Sequence, residues 1–188
     1  IGFIFLLPFL VPCLVDLMYC EIFHADLNPN FRGDILTLEI FIDFFDSIFE
    51  DLVFVDIAIA FLFELIQNRH RRNLKSMLFS SLIFSLFRCY VFLYNDPLYS
   101  LFSICVTFAV TFTCGYLAIY YDSALIPIAF HLLFNILNFV LVPLYFSFDI
   151  ELEYYLFNSS GILLLCLYTL FLYHHSDRKY HKMHIENS

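Results

Sequence analysis

Charge is scarce in this sequence: Asp, Glu, Lys and Arg together make up 14% of its 188 residues, against 62% hydrophobic ones. Soluble domains carry roughly a quarter charged residues, so this balance excludes that class and makes the bilayer the solvent. Cations are scarcer still. Nine Lys and Arg stand against eighteen acids, a net charge of −9, which excludes a phosphate-binding surface and with it a nucleic-acid partner. No C-x-x-C pair occurs among the six cysteines, Cys13, Cys20, Cys89, Cys105, Cys114 and Cys166. They lie in or beside apolar runs and read as packing residues, not as a metal knuckle or a disulfide framework. A basic leader is missing from Ile1 to Tyr19, which also contains Pro8, Pro12 and Asp16, so this stretch reads as a span and not as a signal peptide. The sequence opens on Ile1 within that run, and further helices upstream are expected. No internal repeat is evident.

What is present is apolar length. The runs are Ile1 to Tyr19, Ile35 to Gln67, Met77 to Tyr94, Leu98 to Tyr120, Leu125 to Phe146 and Tyr155 to Tyr173. A span needs about 20 mainly apolar residues. The expected architecture is therefore all-α, a polytopic transmembrane bundle of six spans forming a single domain over residues 1–188, with the lipid bilayer as its partner. Turn or charge signals separate the runs: Asn28-Pro29-Asn30 with Gly33, the basic stretch Asn68 to Lys75, Asn95-Asp96-Pro97, Asp122-Ser123, and acidic Asp149 to Glu153. Orientation follows from the positive-inside rule. Arg69, Arg71, Arg72 and Lys75 follow the second span, while Arg178, Lys179 and Lys182 follow the sixth. Six spans put both segments on one side, which makes the tail, residues 174–188, cytoplasmic. Its histidines, His174, His175, His181 and His184, lie among Arg and Lys and read as a surface feature. The second run is too long for one straight crossing, at about 50 Å of helix for 33 residues. A short outer segment near Ile35 to Phe49, followed by a true span from Glu50 to Gln67, satisfies both length and polarity.

A charge within the hydrocarbon costs several kcal/mol by most estimates, so each polar residue inside a run needs a partner or a cavity. Glu39, Asp43, Asp46 and Glu50 recur at steps of four, three and four and share one helix face, with Asp51 beside Glu50. Glu39 to Asp46 suit the wet face of an interfacial segment, whereas Glu50 and Asp51 head an apolar span. In the fifth span His131 and Asn135 are four apart on one side, and Asn138 extends the stripe. Arg88, buried in the third run, is expected to pair with Glu50 or Asp51. These positions imply a polar cavity between helices 2, 3 and 5; hydrogen bonding between helices is the plainer alternative.

Read together, these residues resemble the CAAX-protease and bacteriocin-processing family of intramembrane endopeptidases, the type II CAAX prenyl endopeptidase type. That family's motifs are E-E-x-x-x-R, F-x-x-x-H and H-x-x-x-N, each on a different helix. Glu50-Asp51-Leu52-Val53-Phe54-Val55 resembles the first, with Asp for the second Glu and Val55 in place of Arg. Ser80-Ser81-Leu82-Ile83-Phe84-Ser85-Leu86-Phe87-Arg88 resembles the second, with Arg88 in place of His. Gly115-Tyr116, then Tyr121 to Leu125, then His131-Leu132-Leu133-Phe134-Asn135 resembles the third in full. The resemblance covers a core of about residues 47–139. A rival register for the first motif, Glu64 to Arg69, lacks the paired acid.

The resemblance implies cleavage of a membrane-associated or hydrophobic peptide, such as a prenylated one, by an activated water. Glu50 would be the base, His131 would bind or orient the water, Asn135 would contact the oxyanion, and Asp51 would support them. Arg88 can neither accept a proton nor bind a metal, so its place in the site is as a partner for a carboxylate. A site for a divalent metal such as zinc, built on His131 with carboxylates, is open but short of nitrogen ligands. The alternative is a non-catalytic immunity or partner-binding membrane protein on the same scaffold, and an ion or proton pathway would use the same acids. Counted along untilted spans, His131 lies about 9 Å from the cytoplasmic edge, Arg88 about 18 Å and Glu50 about 25 Å, so a shared level is not expected from length alone.

Overall fold

The computed structural model describes residues 45, 48–66, 72–145 and 159–175, with the side chains of 91 and 136–145 excepted. The expectations for the first run, for Glu39, Asp43 and Asp46, for Cys13 and Cys20, for the acidic loop at Asp149 to Glu153 and for the tail beyond His175 lie outside these residues. All regular structure among the described residues is helical. A π-helical segment, Asp51–Ile57, runs directly into an α-helix, Ala58–Leu65, and the two form α1. Helix α2 spans Arg72–Phe87 and tightens into a 3-10 stretch, Arg88–Leu93. Helix α3 is Pro97–Tyr121, α4 is Leu125–Tyr145 and α5 is Ser159–His175.

Helix α3 is the centre of the fold. At 25 residues it is about 37 Å long, more than the hydrocarbon thickness, and among the described residues it is the one helix long and apolar enough to cross a membrane. Its start is set by Asp96, whose carboxylate accepts hydrogen bonds from the backbone N–H groups of Leu98 and Tyr99 at 3.3 Å, with Pro97 following. Its end is set by Asp122 in the left-handed region, φ 49°. Every residue from Ala109 to Leu117 is buried, so this stretch is covered on all sides, as expected of a helix apolar all round. Helices α1, α2 and α4 pack on it, and Thr113 meets Thr169 of α5 at 3.1 Å between the two hydroxyls.

Two local features bring the neighbours close. Gly115 lets α3 approach both α1 and α2: a Cβ there would stand 3.0 Å from Ile59 Cδ1 and 3.3 Å from Met77 Cγ. Helix α2 turns a face of small polar residues inward, with Ser76, Ser80, Ser81 and Ser85 all buried. Ser81 and Ser85 donate back to the carbonyls of Met77 and Ser81 at 2.7 and 2.6 Å, while Ser80 donates to the carbonyl of Phe54 within the π segment. A side chain reaching into another helix's backbone is a recognised companion of a local widening of the helical turn.

Helix α2 begins earlier than the apolar run implied. Arg72 and Lys75, expected in a basic turn, stand in its first turn. The guanidinium of Arg72 lies over the Phe63 ring, 3.5 Å from its centre, a cation–π contact between the start of α2 and the end of α1.

Candidate functional site

The π segment positions the acids. Successive side chains on an α-helix are about 100° apart, and the wider π turn reduces that angle, which brings adjacent residues toward a common side. Glu50 and Asp51 stand at its mouth and both reach neighbours on other helices. Asp51 is buried, at 2% exposure, and its Oδ1 lies 3.0 Å from His131 Nδ1 on α4. An ionised carboxylate only accepts, so the Nδ1–H donates and Nε2 carries the lone pair. Glu50 Oε2 lies 3.9 Å from that Nε2, too far for a direct hydrogen bond. The other oxygen of Glu50, Oε1, accepts from Arg88 Nη2 in an ion pair.

Arg88 is held at the point where α2 gives way to the 3-10 stretch. Beneath it Phe84 is buried and stacks on Phe54 of the π segment, 4.3 Å between ring centres, with Phe87 beside them at 5.7 Å from Phe54. The guanidinium carbon lies 5.6 Å from the centre of the Phe84 ring. The pairing of Arg88 with a carboxylate, expected from the sequence, is with Glu50. The depth mismatch counted along straight spans is corrected: Glu50, Arg88 and His131 meet. The count assumed that each helix runs straight from the end of its apolar run, whereas Glu50 precedes a short, widened helix and Arg88 follows a helix that begins five residues early.

Asn135 lies at the i+4 position from His131 on α4 and is half-buried. The side chain of Asn138 is outside the described residues, and Glu64, the rival acid, is exposed at the end of α1. Two residues given no role from the sequence come to light. Asp56, also on the π segment, is half-buried. Cys114, read as packing, has its thiol beside Asp51 and His131: one ligand atom from each of the three lies within 4.8 Å of the others. Its signal in the sequence was slight, namely its place just before Gly115, where the helices come closest.

Taking Glu50 and Asp51 as ionised and His131 as neutral, the cluster carries one net negative charge after Arg88 has compensated Glu50. A water lying about 2.8 Å from both Glu50 Oε2 and His131 Nε2 would bridge their separation and be polarised by both.

These features define first a class: a protein, helical throughout its described residues, that gathers an acid pair, an arginine and a histidine from separate apolar helices. The family follows from comparison. The sequence model of the type II CAAX prenyl endopeptidase Rce1-like family matches residues 34–137, over half of the chain. The chain belongs to this membrane-embedded family, as the motifs had implied. No curated protein and no solved structure gives a match.

Proposed function

We propose that the protein is an intramembrane endopeptidase that cleaves a membrane-associated or hydrophobic peptide, of which a prenylated peptide is the natural first candidate. Glu50 takes a proton from the bridging water as the water attacks the scissile carbonyl. His131, held in one tautomer by Asp51, orients the water by accepting at Nε2, and Glu50 passes the proton it has taken to the leaving amine. Asn135 donates to the oxyanion, and Arg88 fixes the carboxylate of Glu50 by holding its other oxygen. The single observation that supports this reading is the pairing of Glu50 Oε2 with His131 Nε2 at 3.9 Å, near enough for one water beside them to hydrogen-bond to both. The bundle has six spans with the C-terminus in the cytoplasm, and the polar residues of its second, third and fifth spans line a cavity open to substrate.

A second reading, a non-catalytic immunity or partner-binding protein on the same scaffold, is favoured by one feature. The ion pair with Arg88 occupies one oxygen of Glu50 and ties the carboxylate to a cation where the family's motif has a histidine. The purified protein in lipid nanodiscs, incubated with farnesylated and unmodified C-terminal peptides, decides between the two. Cleavage that Glu50→Gln and His131→Ala each abolish, in variants that insert and fold, is expected. Cleavage unaffected by either variant, or no cleavage by the folded wild type, rejects the protease reading.

A further inference from the structure

Asp51 uses only one of its oxygens. Oδ1 faces His131, while Oδ2 is buried and has no hydrogen-bond partner. Leaving a buried carboxylate oxygen unpaired costs more than an ordinary hydrogen bond returns, and such an atom calls for an explanation. The thiol of Cys114, fully buried, faces both the Asp51 carboxylate and the carbonyl of Pro127, the latter at 3.7 Å. Ion pairing between Asp51 and His131 accounts for Oδ1 but not for a fully buried thiol set beside the same carboxylate.

We propose that Asp51, Cys114 and His131 form a three-ligand site for a thiophilic divalent cation of the zinc type. The donors are a carboxylate, a thiol and an imidazole from three different helices, all buried and with ligand atoms within 4.8 Å of one another. Tetrahedral zinc holds its donors about 3.3–3.6 Å apart, given bonds of about 2.0–2.3 Å, so the widest separation needs to close by roughly an ångström while the Asp51–His131 contact, at 3.0 Å, opens slightly. On binding, the S–H bond of Cys114 breaks, its proton leaves to the buffer, and a metal–sulfur bond forms. The imidazole enters neutral, its proton moving from Nδ1 to Nε2 so that the nitrogen facing Asp51 is free to bind, and the carboxylate is already ionised. The loaded site then holds a dication against one thiolate and one carboxylate, with no net charge, which is the condition a water-poor interior demands. Sulfur ligation selects zinc-type ions over magnesium or calcium. The site goes beyond the peptidase reading, with which it shares Asp51 and His131, and its test stands apart from that reading because binding is measured without substrate.

The test is anaerobic titration of the full chain in nanodiscs, purified through a tag free of histidine, with Co2+ as the probe and Zn2+ as competitor. Expected are one Co2+ per chain, a thiolate-to-cobalt charge-transfer band with tetrahedral d–d bands, and loss of both on adding Zn2+. Cys114→Ser should remove the charge-transfer band, and Asp51→Asn should keep it while weakening binding by about tenfold or more. Cys105→Ser and Cys166→Ser should leave it intact. Should Cys114→Ser fail to fold, X-ray absorption of the zinc-loaded wild type reads the ligands directly and should show one sulfur neighbour. A wild type without a thiolate band, a band that survives Cys114→Ser, or a zinc shell without sulfur overturns the proposal.

Discussion

Arg88 occupies the position where the family's second motif has histidine, and the consequences are electrostatic before they are catalytic. Its side chain remains about a third exposed while Glu50 is mostly covered, so the pair stands between a surface bridge and a buried one. Arg88→Met should cost about 1–2 kcal/mol, less than the loss of one partner from a fully buried pair, read from thermal unfolding in detergent. Exchanging the charges, Arg88→Glu with Glu50→Arg, should recover most of the stability lost by either single change and none of the peptidase activity. Stability that the double exchange does not recover would mean that the two groups do not depend on each other. Asp51→Asn should leave Glu50 and Arg88 paired but allow His131 either tautomer, so that kcat falls while KM changes little.

At the scale of elements, the π segment and Gly115 set the site, because each determines how near one helix lies to the next. Gly115→Val should overpack against Ile59 and Met77, destabilising the fold by about 1–3 kcal/mol, whereas in Gly115→Ala the gain in helix propensity, about 1 kcal/mol, offsets much of the strain. Thermal melts of the two variants in one detergent separate these outcomes. Asp96→Ala should remove the cap of α3 at a cost of about 1 kcal/mol without touching the site, so activity per folded molecule should not change. Ser80→Ala removes the bond to the Phe54 carbonyl and should let the π turn relax, drawing Glu50 away from His131; loss of turnover with little loss of stability is the expected signature.

For the molecule as a whole, a central helix covered on all sides from Ala109 to Leu117 places the polar cluster at the meeting of four helices, with Asp51, Cys114 and His131 buried and Arg88 reaching toward the surface. If the bundle crosses the membrane six times, the basic segments around Arg69 and Arg178 share the cytoplasmic side. Tags or single cysteines introduced after Gln67 and after Ser188 should be accessible to impermeant reagents from that side alone, and those placed near Glu151 from the opposite side. Labelling of the two basic segments from opposite faces would refute the six-span topology.

Much of this was legible in the sequence. Scarcity of charge and long apolar runs determine a helical membrane protein, since backbone polar groups in hydrocarbon must be satisfied within each segment. Helical periodicity places His131 and Asn135 on one face, and the motif order carries the family. The sequence also identified Arg88 as a cation in need of a carboxylate. Which carboxylate it takes was decided by tertiary structure, as were the level at which Glu50, Arg88 and His131 meet and the place of Cys114 beside Asp51. Periodicity reports which side of a helix a residue lies on but not how far helices tilt, slide or widen against each other. Those are settled by Gly115, by the inward serines of α2 and by the π turn, through packing between segments distant in the chain.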